Sequence, residues 1–296
     1  MHRVLEYIDR RLDQSLPLTD LADVAHFSPF HFHRLFTAWM GETLGDYLRR
    51  RRVEVAAMRL AAQPRLSVLQ AALSVGFGSG EAFARAFKER FGRSASAWRR
   101  QQHARRMSNS NLDQVNRNPD QAASLLSGNA VRTQHPLELD MHVKLIDRQP
   151  TVIAYLRHIG PYGAAIAAFW QQRVYPWMVT HSLLQCPRYG ISHDDPNITA
   201  ADQCRYDAGV EVPSTFQFTG PALKTTIPGG CYASAYFKGT TDTIGDSWQA
   251  VLRDWLPPSG MQLDNRPSFE YYPQGTSYDP ATGVFDCEIC IPVVPL

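Results

Sequence analysis

From Asp9 to about Arg100, apolar residues recur every three or four positions, with proline and glycine punctuation and almost no strand-like alternation. That pattern predicts an all-helical half. From Gln101 to about Asp140 the chain turns polar and small, as in SNSNLDQVNRNPDQAASLLSGN, which reads as a linker with one short helix. Beyond Met141, short β-branched and aromatic runs flank two Trp-containing amphipathic stretches, 163–183 and 242–256, and predict an α+β half. The expected boundaries are a helical domain over 1–106, a polar linker over 107–140 and an α+β domain over 141–296.

The second half matches itself at a constant offset of 79, the difference between Ala154 and Ala233. At that offset Gly160 meets Gly239, Phe169 meets Trp248, Tyr206-Asp207 meet Phe285-Asp286, and Val212-Pro213 meet Ile291-Pro292. An ungapped self-match predicts one βαββ module used twice, with a cleft where the two copies meet about a pseudo-two-fold axis.

The helical half carries two helix-turn-helix patterns. In LTDLADVAHFSPFHFHRLF, Thr19 is the expected cap of one helix, and Ser28 with Pro29 opens the next as N-cap and first-turn proline. Helical spacing puts Phe32, Leu35 and Phe36 inward, with Phe30, His33 and Arg34 on the outer face. In LSVLQAALSVGFGSGEAFARAFKERFG, Val68–Val75 form the first helix, Gly76-Phe77-Gly78 turn the chain and Ser79 caps the second helix. There Phe83, Phe87 and Phe91 point inward, and Glu81, Arg85 and Lys88 outward. Between the units, ETLGDYLRRRRVEVAAMRLAA predicts a long helix with a run of four arginines near its start.

Charge sharpens this reading. The 296 residues carry a net charge of only +2, yet residues 1–106 hold 18 Lys+Arg against 10 Asp+Glu, and residues 107–296 hold 12 against 18. The first half is thus suited to a polyanion and the second is not. The five cysteines make no disulfide framework and fit a reducing compartment. Cys287 and Cys290 form a CxxC, but FDCEICIPV alternates as a strand, which turns their sulfurs to opposite faces. The opening MHRVLEYIDR lacks the apolar core of a secretory signal, and no window approaches 18 uninterrupted apolar residues. A cytoplasmic chain without membrane, metal or cofactor is the expectation.

Double-stranded DNA is the expected partner of the basic half. Arg34 or Arg85 can bond guanine O6 and N7, Glu81 can accept from cytosine N4, and Phe30 can cover a thymine methyl. His33, Ser79 and Lys88 lie on the same surfaces, and the run from Arg49 and Arg50 to Arg52 is placed on phosphates. Two such helices roughly 34 Å apart would read a site of about 20 base pairs. The GFGSG run follows no strand and lacks GxGxxG spacing, and His31 and His33 lie on opposite sides of a helix, so neither supports a nucleotide or metal site.

The stretch from about Leu5 to Arg100 resembles the DNA-binding domain of the AraC/XylS transcription regulators. The likeness rests on SPFHFHRLF, the long basic helix and VGFGSGEAFARAFKERFGRSASAWRR. It departs from the family at Ala95, where a proline is usual. The resemblance implies a transcription regulator that contacts RNA polymerase and reads bases through Phe30, His33 and Arg34 in one unit and Glu81 and Arg85 in the other.

The second half resembles the GyrI-like small-molecule-binding domain through YLRHIGPY, YDAGVEVP, IPGGCYASAYFKG, WLPPSG, FEYY and CEICIPV. The resemblance implies a duplicated strand-helix-strand-strand fold with a ligand channel, often used for lipophilic cations. By alternation, if Val152, Ala154, Leu156, Cys231, Ala233 and Ala235 pack on the helices, then Tyr155, Tyr232 and Tyr236 face the other side. Glu270 shares a face with Tyr272, and Glu288 with Cys290, so two carboxylates and several rings are expected in one cleft suited to a small lipophilic cation. Neutralisation of the glutamates by Arg157 is the plainer alternative. An enzyme is not expected; a hydrolase using Glu270 as general base, or a protein-contact module with an empty cleft, are the alternative readings.

Overall fold

The computed structural model describes residues 1–104 and 142–296, apart from 214, 219, 277 and 280; the linker expected over 107–140 lies outside the described residues. The first half is helical: α1 (His2–Asp9), α2 (Leu18–Ala25), α3 (Pro29–Met40), α4 (Leu44–Ala62), α5 (Val68–Leu73) and α6 (Gly80–Phe91), then a helix over 95–104. Ser28, Thr43 and Ser79 each cap a helix by accepting a backbone N–H three residues on. Thr19 does not: α2 starts two residues earlier, at Leu18 after Pro17, and the Thr19 hydroxyl donates to Asp20 instead. Ala95 opens the last helix at a position where a proline's missing N–H would go unnoticed, and its methyl is buried.

Each helix-turn-helix unit has its own core. Val4, Leu5, Ile8, Leu21, Phe32, Phe36 and Tyr47 fill the first; Val53, Ala57, Leu60, Phe83, Phe87 and Trp98 fill the second. Helix α4 runs through both, so its apolar residues serve one core early and the other late. The arginine run occupies the waist between them. At the second turn, Gly76 has φ +85° and an added Cβ would fall 2.8 Å from the Leu12 carbonyl oxygen, so only glycine fits.

The second half contains a curled, wholly antiparallel sheet of nine strands. They are β1 (Val143–Arg148), β2 (Thr151–Ile159), β3 (Arg188–Ser192), β4 (Arg205–Glu211), β5 (Leu223–Ile227), β6 (Gly230–Gly239), β7 (Met261–Leu263), β8 (Phe269–Tyr272) and β9 (Phe285–Pro295). Their order is β1-β6-β9-β8-β3-β4-β2-β5, with β7 beside β9. Each edge strand pairs outside its own expected module, β1 on β6 and β5 on β2. These exchanged pairs share one register at the offset of 79: Leu145 faces Ala233, and Lys224 faces Ala154. The inner pairs do not, because Ile153 faces Glu211 whereas Tyr232 faces Pro292 rather than Cys290.

Two helical segments cover one face of the sheet. One joins Ala164–Phe169 to Tyr175–Thr180 through a π turn, Trp170–Val174; the other runs from Ile244–Ala250 into a π turn, Val251–Trp255. Ala154, Leu156, Ala233 and Ala235 pack beneath them, which is the expected parity. Tyr155, Tyr189, Tyr232, Phe269 and Cys290 form a separate cluster on the opposite face. Cys287 lies under the helices and Cys290 across the sheet, as alternation requires. Among the described residues, no helix is long and apolar enough to cross a membrane.

The helical half docks on the sheet face opposite its helices. Arg205 of β4 is bonded to Asp9 of α1 and through Nε to Asp194 at 2.9 Å, and Asp194 accepts from Arg51 of α4 at 2.6 Å. Arg51 also reaches Glu54 at 3.2 Å, and Glu54 accepts from Arg90 of α6 at 3.0 Å. Ile198 enters the second helical core and Ile159 borders the first. Arg10, just past α1, donates to Thr225 of β5 at 2.8 Å. The dock therefore grips both helix-turn-helix units and the α4 waist together.

Candidate functional site

The outer surfaces of α3 and α6 present most of the expected base-reading residues. Phe30 is 68% exposed, and His33, Arg34, Glu81, Arg85 and Lys88 are exposed as well. The Arg34 guanidinium lies 5.7 Å from the Phe30 ring, and the Glu81 carboxyl is held below the usual range by its own backbone N–H, with Ser79 adding to the effect. Ser79 itself is half-buried and committed to capping Ala82. Leu35, expected inward, is 43% exposed, because Phe32 and Phe36 already fill the inner face.

The arginine run is not a phosphate-binding surface as a whole. Arg50 is clamped by Glu42 at 2.5 Å and Glu54 at 2.9 Å. Arg51 is buried in the dock, and Arg52 donates to the Leu12 and Gln14 carbonyls at 3.0 and 2.7 Å. Arg49 alone of the four is exposed, paired at the surface with Glu89 at 2.6 Å. The sequence shows four identical charges; it does not show that Glu42, Glu54, Glu89 and Asp194 accept from three of them and the Leu12 and Gln14 carbonyls from the fourth.

The second cluster lies under the two π-turned helices, where β3 meets β8 at the middle of the sheet. Glu270 is 8% exposed. Trp248 Nε1 donates to its Oε1 at 3.2 Å, and the hydroxyls of Tyr272 and Tyr206 donate to Oε2 at 2.9 and 3.4 Å. Trp170 Nε1 in turn donates to the Tyr206 hydroxyl at 3.1 Å. Burial pushes the Glu270 carboxyl above the usual carboxylate range, opposed by these three donors. Among the described residues it forms no ion pair. Trp170 and Phe285 flank the Tyr272 ring at 6.2 and 6.0 Å.

Gly190 makes room for this arrangement. It faces Glu270 across the β3–β8 pair and Ala208 across β3–β4, and a Cβ there would fall 2.2 Å from the Tyr206 hydroxyl and 2.5 Å from Glu270 Oε2. Trp170 opens the first π turn and Trp248 lies in the last turn of α-helix before the second; such turns recur at functional sites. The sequence pattern does not mark Trp170, Tyr206 or Trp248 as site residues; Tyr206 and Trp248 enter it only as repeat matches. Their signal was indirect: Tyr206 has the same alternation as Ala208 and Val210, and both tryptophans lie on the amphipathic stretches.

The expected single cleft with two carboxylates is not present. Glu288 lies across the sheet, accepting from Ser234 at 3.0 Å with Arg148 at 3.8 Å. Tyr232 is buried in the opposite-face cluster and donates to the Pro228 carbonyl at 2.9 Å; Tyr236, on that same face, is 61% exposed. Tyr155 is buried beside Arg157 at the dock. Parity separates them: Glu270 and Tyr272 face the helices, while Glu288 and the three tyrosines do not. Arg157 neutralises neither glutamate. Its Nε and Nη2 reach Asp207 at 2.6 and 2.7 Å.

A profile for the GyrI-like small molecule binding domain matches residues 141–294, and a helix-turn-helix domain profile matches residues 21–101. The chain belongs to the GyrI-like family. Its amino-terminal half is an AraC-type helix-turn-helix domain. Among relatives, the GyrI-like half is similar to the "SPbeta prophage-derived putative transcriptional regulator YosT" of Bacillus subtilis, 26% identical over 145 residues, 49% of this chain and 91% of that one. It is also similar to a "DNA gyrase inhibitor" of Erwinia billingiae, 26% identical over 156 residues, 52% of this chain and 97% of that one. The "Transposon Tn10 TetD protein" of Escherichia coli is 40% identical over 97 residues, 33% of this chain and 70% of that one.

Proposed function

We propose that the protein is a transcription regulator that reads duplex DNA through α3 and α6 and binds a small lipophilic cation over Glu270. The observation that carries the ligand class is a buried carboxylate with no ion-pair partner among the described residues, ringed by Trp170, Tyr206, Trp248 and Tyr272. Such a carboxylate favours an incoming cation, and rings attract it through their quadrupoles. Apolar bulk on the ligand would replace water at the half-buried ring faces. Engagement of both Glu270 oxygens by indole and phenol donors supports a countercharge in preference to a general base.

For DNA, exposed Arg34 and Arg85 are the proposed bidentate contacts to guanine, with His33, Glu81 and Lys88 beside them. Arg49 is the proposed phosphate contact of the arginine run. The proposed output is a changed contact with RNA polymerase when ligand is bound.

The test uses the full chain and tetraphenylphosphonium as probe, followed by calorimetry and tryptophan fluorescence. Saturable binding that weakens on the order of tenfold or more in Glu270→Gln supports the reading. Equal affinity in the variant would overturn it. For the DNA half, Arg85→Ala should cost about 1–3 kcal/mol on a selected site and little on random duplex.

A further inference from the structure

Strand β4 belongs to both the Glu270 cluster and the dock. Alternation along Arg205-Tyr206-Asp207 sends Tyr206 to the helix side, where its hydroxyl bonds Glu270 and accepts from Trp170. It sends Arg205 and Asp207 to the other side. There Arg205 is bonded to Asp9 and Asp194, and Asp207 is held by Arg157 and lies 2.6 Å from His193 Nε2. The Tyr162 hydroxyl adds a second link, donating to the Arg205 carbonyl at 2.8 Å and accepting the Asp194 N–H at 3.3 Å, while its ring lies 6.4 Å from that of Tyr206.

The dock itself is a balance rather than a weld. Asp9, Asp194, Arg51, Arg205, Arg157, Asp207 and Glu54 lie in or against the interface, six of them buried, and taking such charges out of water costs nearly as much as their mutual attraction returns. Arg51 Nε and Arg157 Nη1 are buried and without a hydrogen-bond partner among the described residues. Each such unsatisfied N–H costs the docked form and not an undocked one, where water reaches it. It is also the contact through which the GyrI-like half touches α1, the α4 waist and α6 at once.

We infer that the Glu270 cluster controls whether the two halves are docked, with Tyr206 as the lever. This rests on the cluster being the ligand site. A cation that takes Glu270 Oε2 competes with the Tyr206 hydroxyl, and a Tyr206 displaced from Glu270 moves the β4 backbone that holds Arg205 and Asp207 in the dock. Ligand therefore favours the undocked arrangement, and by linkage undocking raises the affinity for ligand. The reading surfaces of α3 and α6 are exposed in the docked form, so docking acts by fixing the two units relative to one another, not by covering them.

Hydrogen exchange of α1 amides in the full chain tests this, because α1 is across the interface from Tyr206 and does not touch the cluster. Saturating tetraphenylphosphonium should speed exchange in residues 2–9 on the order of tenfold, the scale typical of such coupling, and should not do so in Glu270→Gln. Tyr206→Phe, without any ligand, should do the same, since it removes the hydroxyl from Glu270. Asp9→Asn should open the dock directly and tighten the probe several-fold. Unchanged α1 exchange in Tyr206→Phe, with β4 protection intact, would overturn the coupling even if the probe never binds; failure of the probe alone would overturn only the ligand class.

Discussion

At Gly190 the space for a single hydrogen atom decides whether Tyr206 and Glu270 can meet. Gly190→Ala should displace one of them, costing about 1–3 kcal/mol of stability in a packed site and abolishing probe binding, as thermal denaturation and calorimetry would show. Glu270 itself makes a signed prediction. Its folded-state pKa is raised, so between the unfolded value of 4.5 and the folded one the native state holds more protons than the unfolded chain. Its own contribution to stability should fall as pH rises through that window, opposite in sign to that of the dock, while cation affinity should rise with ionisation of the carboxylate. Glu270→Gln should flatten both trends; a cation affinity that still climbed in the variant would assign the titration to another group.

At the scale of elements, α4 shows how one charge run divides into unlike roles. Arg50 lies between Glu42 and the fully buried Glu54, so Arg50→Ala leaves a buried carboxylate short of a partner and should cost about 3 kcal/mol. The salt dependence of DNA binding by the folded fraction should stay the same. Arg49→Ala should behave in the opposite way, because its pair with Glu89 is exposed and such pairs contribute at most about 1 kcal/mol. If Arg49 meets a phosphate, the slope of log affinity against log salt should drop by about 1. Urea denaturation beside a salt titration of DNA binding separates the two residues.

The whole molecule should respond to acid through its dock. His2 lies at the interface in a cavity of about 400 Å³ lined also by Trp39, Met40, Ile159, Asp202 and Gln203. Burial, with Arg157 adding to it, lowers the His2 pKa from 6.5 to about 4. A depressed histidine binds fewer protons in the folded than in the unfolded chain, so its stability contribution is present above pH 6.5 and is lost as pH falls toward 4. Asp9, Asp194 and Asp207 act in the same sense at lower pH, since nearby arginines hold all three below the usual carboxylate range despite their burial. The melting temperature should therefore decline between pH 6.5 and 4 in the native chain and less steeply in His2→Gln.

Local chemistry determined much of this protein without tertiary information. Helical periodicity with Ser28 and Ser79 as caps marks both helix-turn-helix units, because capping and amphipathic burial act within a few residues, although the expected Thr19 cap does not form. Alternation placed Ala154 and Ala233 under helices and separated Cys287 from Cys290. What the sequence left open was which alternating faces share one cleft, and so Glu270 was grouped with Glu288 and with tyrosines that lie across the sheet. The exchange of β1 and β5, the two-residue difference between inner registers and the enclosure of Arg51 by Asp194 depend on contacts between residues tens to over a hundred positions apart. Only the closed fold decides those, because a buried charge or a strand face takes its meaning from the surface packed against it.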